Sequence, residues 1–399
     1  MIKITKTKAV IIIFISFCIL LSGCWSKREL NELAIVVGAG IDKVDNGFEV
    51  SVQIVNPSEI SSQKPSSSQA TVITYHATGE SIFEAIRKLT TITPRKAYFA
   101  HLQVLILGDK LAIEGINDVI DLFVRDPETR NDFVVLVSHE STAKEILNVL
   151  TPIEKIPANK MLYSLQGTEK AWGSTLSINI DELATIINSE KKSAVLPAIE
   201  IQGDKQLGPD KKNVEKIETP AILKYIGLSV FKQDRLVGFL TEEDSKSFNF
   251  LNDNIKSTVI VFTCPKAGKL TTEITDSTTK IKGTFKNNTP RINIKIHIDQ
   301  NVGEVQCDID LNDSKTTEYI NKKAAQTIKS QIKKMITTIQ QSYSSDIVGF
   351  GEVLYREDYK AWKNIKDDWS TIFPELEVEI EVYVNTNSVG TVNNWRSWE

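Results

Sequence analysis

An α+β fold of more than one domain is predicted by three features of this sequence. The first half alternates strand-like and helix-like patterns. The second half is strand-rich and carries one long amphipathic helix. At 399 residues, the chain exceeds the roughly 250–300 at which a single core stops growing. The reading is therefore of mixed β-sheets, each packed with helices.

Residues 33–41 read as a strand. Asp45-Asn46-Gly47 is a hairpin-turn signal, and Phe48, Val50, Val52 and Ile54 alternate as its return strand. Residues 57–69 are rich in Ser and Pro and read as a mobile loop. A strand over 71–76 precedes a helix over 79–89, with Ile82, Phe83, Ile86 and Leu89 on one face. Residues 99–107 form a strongly apolar strand. A helix over 112–124 aligns Ile113, Ile116, Ile120 and Phe123. A strand at 133–137, a helix at 143–150 stopped by Pro152, mostly helical residues at 161–188 and a strand at 195–201 complete the half. Such alternation favours βαβ-type units on a mixed sheet.

Residues 203–216 are charged, with Gly208-Pro209 in their midst, and mark the best domain boundary. The chain thus divides into a 1–23 export segment, a 24–202 α/β domain, a 203–219 linker and a 220–399 α+β region, the last separable near residue 265. Beyond the linker a hairpin joins 226–231 to 236–240 and a helix covers 242–251. Strands are expected at 258–262, 281–285, 292–298 and 304–311, then a helix over 314–343 whose stripe is Ile320, Ala324, Ile328, Ile332 and Ile336. Leu376, Val378, Ile380, Val382 and Val384 alternate with glutamates in a last strand, polar on one face.

The N-terminus supplies the most specific local signal. Lys3, Lys6 and Lys8 form a basic start, and residues 9–21 are apolar except for Ser16. At 13 residues this run is too short to span a bilayer, which needs about 20, and long enough for a signal-peptide core. Leu21-Ser22-Gly23-Cys24 follows, and resembles a bacterial lipobox. The thiol is the nucleophile that takes a diacylglyceryl group, and small neighbours let a peptidase cut before Cys24. Cleavage would leave 376 residues and move the net charge from −4 to −7, which argues against general nucleic-acid binding. No later apolar run approaches spanning length, so lipid is the expected anchor. Of the remaining cysteines, Cys264 and Cys307 read first as buried thiols, with a disulfide left open for an exported chain.

No reaction site emerges. Gly38-Ala39-Gly40 follows a strand, but Lys43 stands where a dinucleotide fingerprint needs its third glycine, so a turn pair is the better reading. Ser61 and Lys64 have serine–lysine spacing inside a low-complexity loop, where the serine could not be held against the lysine. The histidines, His76, His101, His139 and His297, share no metal-ligand spacing, and His101 reads as a packed or capping residue. No catalytic residue, cofactor or metal site is assigned.

An ordered set of segments carries a resemblance. Cys24-Trp25 leads into Glu29-Leu30-Asn31-Glu32-Leu33-Ala34-Ile35-Val36-Val37-Gly38-Ala39-Gly40-Ile41-Asp42. Residues 101–108, Gly115, Arg125-Asp126 and Arg130 follow, then Gly227 to Phe231 with Leu236 to Leu240, and lastly Asp346-Ile347-Val348-Gly349-Phe350-Gly351 with Trp362 and Trp369. Together these resemble the Ger(x)C spore-germination lipoproteins, the C subunits of nutrient germinant receptors. The resemblance implies an α+β protein lipid-anchored on the outer face of the spore inner membrane. It also implies partnership with integral-membrane A and B subunits, and no catalysis. Within it, Phe350, Gly349 and Gly351 are the candidates for a partner interface. The alternative reading is the substrate-binding lipoprotein of an ABC importer, which wants two similar lobes around a cleft.

Overall fold

The computed structural model describes residues 32–56, 71–265, 267–287 and 289–390. The 1–23 export segment, Cys24 and its tether, the 57–69 loop with Ser61 and Lys64, and the tail with Trp395 and Trp398 lie outside the described residues.

In chain order the first half comprises β1 (Leu33–Val44), β2 (Gly47–Val55), β3 (Val72–Gly79), α1 (Ile82–Lys88), β4 (Lys96–Tyr98), β5 (Val104–Leu107), α2 (Asp109–Glu114), α3 (Asn117–Arg125), β6 (Val134–Ser138), α4 (Ala143–Leu147), α5 (Pro157–Ala171), α6 (Ile180–Ile187) and β7 (Val195–Gly203). After a short α7 (Lys212–Glu215) come β8 (Ala221–Lys232), β9 (Arg235–Phe239), α8 (Glu242–Leu251), β10 (Thr258–Thr263), β11 (Lys269–Lys286), β12 (Thr289–Val305), α9 (Ser314–Thr337), α10 (Phe350–Glu357), α11 (Tyr359–Ile365), α12 (Trp369–Ile372) and β13 (Glu377–Ser388).

One nine-stranded sheet runs β3-β2-β1-β5-β6-β7-β8-β9, with β4 paired to β1. Its centre is parallel, β1 to β5 to β6 to β7, and its flanks are antiparallel hairpins. Central strands are apolar on both faces because both are covered. Leu105 and Leu107 join Ile116, Ile120 and Phe123 on one side, while Val104 and Ile106 join Ile146, Leu147 and Met161 on the other.

The second sheet is β10-β11-β12-β13, with β12 and β13 parallel. Ile292, Ile294, Ile296 and Ile298 alternate inward from β12 and meet the buried stripe Ile320, Ala324, Ile328 and Ile332 of α9 in one core. The outer face is polar as expected. There Arg291 pairs with Glu377 at 2.9 Å, Lys295 with Glu381 at 3.3 Å, and His297 stacks on Tyr383 with 5.0 Å between ring centres.

Several local expectations are corrected. The 112–124 helix is two helices, broken where Gly115 adopts φ 135° and Asp234 Oδ2 lies 2.6 Å from where a Cβ would stand. The break turns Ile113 outward, 56% exposed, instead of onto the stripe. Residues 304–311 are not a separate strand, since β12 ends at Val305. The helix over 314–343 closes in a π-helical turn from Thr338 to Tyr343. The sheet also crosses residues 203–219. β7 and β8 pair antiparallel around this excursion, and Leu228 and Val230 of β8 pack into the second core. Asn213 pins the excursion through bonds to the Leu150 and Ala221 carbonyls.

The reading of two free buried thiols gives way to a Cys264–Cys307 disulfide, which ties the end of β10 to the chain just past β12 across a separation of 43 residues. Loop closure over that span is worth about 4 kcal/mol. Cys264→Ser with Cys307→Ser, or reduction of the native chain, should lower the thermal midpoint by several degrees. A midpoint indifferent to reductant would show that the bridge contributes nothing.

Candidate functional site at the junction of the two sheets

The first resemblance segment proves to be scaffold. Gly38 and Gly40 are not a turn pair; both sit inside β1, under α4. A Cβ on Gly40 would stand 2.9 Å from the Ala143 Cβ, and one on Gly38 3.0 Å from Leu147 Cδ2. The glycines let the helix lie against the strand. Two residues on, Asp42 accepts the Ala143 N–H at 2.8 Å and the Lys144 N–H at 3.0 Å, capping α4 from across the fold. Burial pushes the Asp42 carboxyl above its ordinary range, against the pull of those two bonds. Gly40→Val should cost about 2 kcal/mol through overpacking. A denaturant midpoint unchanged from wild type would contradict this account of Gly40.

The last resemblance segment builds the junction. After α9 the chain turns through Ser344, at φ 45°, and crosses to the first sheet. Tyr343 donates its hydroxyl to the Phe239 carbonyl at 2.8 Å, and Ser345 donates to the Phe231 carbonyl at 2.6 Å. The Ser193 N–H donates to the Asp346 carbonyl at 2.8 Å. Two side-chain-to-backbone bonds and one backbone–backbone bond thus hold the second half to the β7–β9 edge of the first.

At its centre the Asp346 carboxylate accepts the N–H groups of Gly349 (2.9 Å), Phe350 (3.0 Å) and Gly351 (2.8 Å). Gly349, at φ 87°, makes the turn that aims these donors. Gly351 has no room for a side chain, because a Cβ would stand 2.8 Å from Trp362 Cη2 and 2.9 Å from the Lys191 carbonyl. Burial raises the Asp346 pKa to about 6, against the pull of the three N–H groups and a smaller one from the Trp369 indole.

Phe350 is fully buried, with its ring 6.5 Å from that of Phe373, and Gly349 and Gly351 are buried beside it. The three residues named for a partner surface are thus packed inside the fold of this chain. Trp362 and Trp369, 5.1 Å apart edge to face, close over the same segment.

A cavity of about 350 Å³ opens beside the segment, lined by Lys191, Lys192, Lys232 and Lys366 together with Glu190 and Asp346. Lys192 donates to Asn252 Oδ1 at 3.2 Å, and burial lowers its pKa. Lys191 lies 3.7 Å over the Tyr355 ring. The Asp346 oxygens are already engaged by backbone donors. Its raised pKa accompanies a structural bracket.

The histidines do not converge. His139 contacts Glu200 at 3.3 Å, His76 lies 3.8 Å from Glu49, and exposed His101 sits edge-on to Tyr98. Among the described residues no group of three His, Cys, Asp or Glu could hold a metal, and no helix is long and apolar enough to cross a membrane.

A second hollow, a groove of about 770 Å³, runs between α1 and α3 in the first half. The sequence pattern gave Phe83 to the core stripe of α1, but the structure leaves it 49% exposed in this groove.

Comparison with known proteins covers the chain from end to end. Residues 26–201 match the family described as spore germination protein N-terminal domain, and residues 226–390 match spore germination B3/GerAC-like, C-terminal. The chain is 30% identical over 384 residues to spore germination protein KC of Bacillus subtilis (strain 168), covering 94% of each. It is 23% identical over 402 residues to spore germination protein B3 of the same organism, covering 97% of this chain and 99% of the relative. The crystal structure of the GerBC protein superposes with a TM-score of 0.57 at 20% identity, over 88% of this chain and 97% of that one, and shows the same fold. The importer alternative finds no support, since the four-stranded second half is no copy of the first. This chain belongs to the spore germination B3/GerAC-like, or Ger(x)C, family.

Proposed function

We propose that this protein is the lipid-anchored C subunit of a spore germinant receptor, acting by assembly and signalling rather than by catalysis. The observation that carries the reading is the end-to-end match to spore germination proteins, 94% of both chains for protein KC. Three features support it. Leu21-Ser22-Gly23-Cys24 provides the acylation signal. The Cys264–Cys307 bridge suits an oxidising compartment. The one strongly perturbed carboxylate at the junction is spent on the fold.

In this reading Cys24 carries the lipid on the outer face of the spore inner membrane, and the folded body works beside integral-membrane A and B subunits. Anchoring at the bilayer raises its effective concentration near them, so a modest interface suffices. Deleting the gene in a strain whose other receptors are absent should abolish germination with nutrients, while calcium dipicolinate still triggers it. Normal nutrient germination in that strain would overturn the function.

A further inference from the structure

The groove between α1 and α3 is used by neither the junction nor the sheet cores. Its floor is apolar, formed by Phe48, Ile86, Phe99 and Leu122 with the half-open Phe83. The Phe83 ring lies under the Arg87 guanidinium, 4.6 Å from it. Covering apolar surface of this kind is favourable.

The rim is acidic. Of its cations, Lys96 and Arg125 are already paired, with Glu128 at 2.8 Å and Asp121 at 2.5 Å, and Arg87 is held over the Phe83 ring. Exposed Glu80 and Asp118 are paired to no cation among the described residues. An occupant with an apolar body and basic flanks complements both features.

The groove's place in the fold says where such an occupant comes from. β4 supplies Lys96 and Ala97 to the groove, and Leu33–Ile35 of β1 pair with that same strand. One end of the groove therefore adjoins the point where the chain enters the fold. Cys24 is nine residues before Leu33, a reach of at most about 30 Å. With Cys24 acylated, the entry point at Leu33 is held within that reach of the anchor.

We propose that the groove receives a short apolar segment flanked by lysine or arginine, presented at the membrane surface by an integral-membrane partner; this rests on the receptor-subunit reading. The segment lies between α1 and α3 as an amphipathic helix lies in an apolar groove, with its basic flanks toward Glu80 and Asp118.

The test uses the full-length chain in spore membranes, with the photoreactive p-benzoylphenylalanine in place of Phe83. Irradiation should crosslink position 83 to an apolar, Lys/Arg-flanked stretch of an integral-membrane protein. Adding Glu80→Lys and Asp118→Lys should cut the yield roughly tenfold by like-charge repulsion, with the thermal midpoint within a few degrees of wild type. The same probe at Val261, 49% exposed on β10, should give no such product. No crosslink at position 83, a crosslink only to lipid or to a second copy of this chain, or a yield unmoved by charge reversal would overturn the groove assignment. If A and B subunits copurify while position 83 reaches neither, the groove falls and the receptor reading stands. If position 83 reaches a basic-flanked apolar stretch of some other membrane protein, the groove stands and the A and B partnership falls.

Discussion

Asp346→Ala should destabilise the protein by about 4 kcal/mol, because it strips three buried backbone N–H groups of a charged acceptor at once. The same carboxylate organises the Gly349 turn, so the loss would spread to Phe350, Trp362 and Trp369 around it. Asp346→Asn keeps the volume but turns an amide N–H toward one of those donors, and should cost about half as much. The pH dependence separates charge from packing. The folded-state pKa is raised from 3.8 to about 6, so the folded chain holds the Asp346 proton more tightly than the unfolded chain does. Its contribution to stability is therefore fully present below about pH 4 and is lost as pH rises through 6, a span of roughly 3 kcal/mol. Asp346→Asn should remove that decline. Denaturant titrations at pH 4, 5, 6 and 7 read it directly, and parallel slopes for wild type and Asp346→Asn would show that Asp346 titrates normally.

Cys24→Ala should move the protein from the membrane to the soluble fraction. Each buried CH₂ of an acyl chain contributes about 0.8 kcal/mol, so a chain carrying two acyl groups stays put where an unacylated one exchanges freely; the membrane-bound fraction should fall on the order of tenfold or more. Among the described residues no helix offers a substitute anchor. Nutrient germination should fall with it. The mass of the mature N-terminus checks the premise, because an unmodified Cys24 thiol in the native protein would defeat the assignment.

The resemblance segments and the long helix show what local sequence carries. The repeat Ile320, Ala324, Ile328, Ile332 reads as a buried stripe because a helix returns to one face every three or four residues, and the structure buries all four. The helix Glu242–Leu251 is equally local, with Thr241 capping at the Asp244 N–H. What failed depends on contacts from far along the chain. Gly115 ends a helix at a positive φ where Asp234 leaves no room for a side chain, and no window around residue 115 contains Asp234. Gly38 and Gly40 looked like turn residues because their partner, α4, begins at Ala143. The cover over Phe350 comes from later in the chain, from Phe373 with Trp369 packed against it. The bridge between Cys264 and Cys307 could be entertained from two cysteines in an exported chain, but the pairing is a fact of where β10 and β12 end. The groove between α1 and α3 was hidden for the opposite reason. Phe83 fits the apolar period of its helix, and only the position of α3 shows that this face stays open.

The central claim, that this chain works as a membrane-anchored receptor subunit, is met most directly by recovering the full-length protein from spore membranes in mild detergent and identifying by mass spectrometry what comes with it. The account predicts integral-membrane A and B subunits in constant proportion, together with a mature chain that begins at an acylated Cys24. Recovery of the folded chain alone, beginning elsewhere and without lipid, would contradict it.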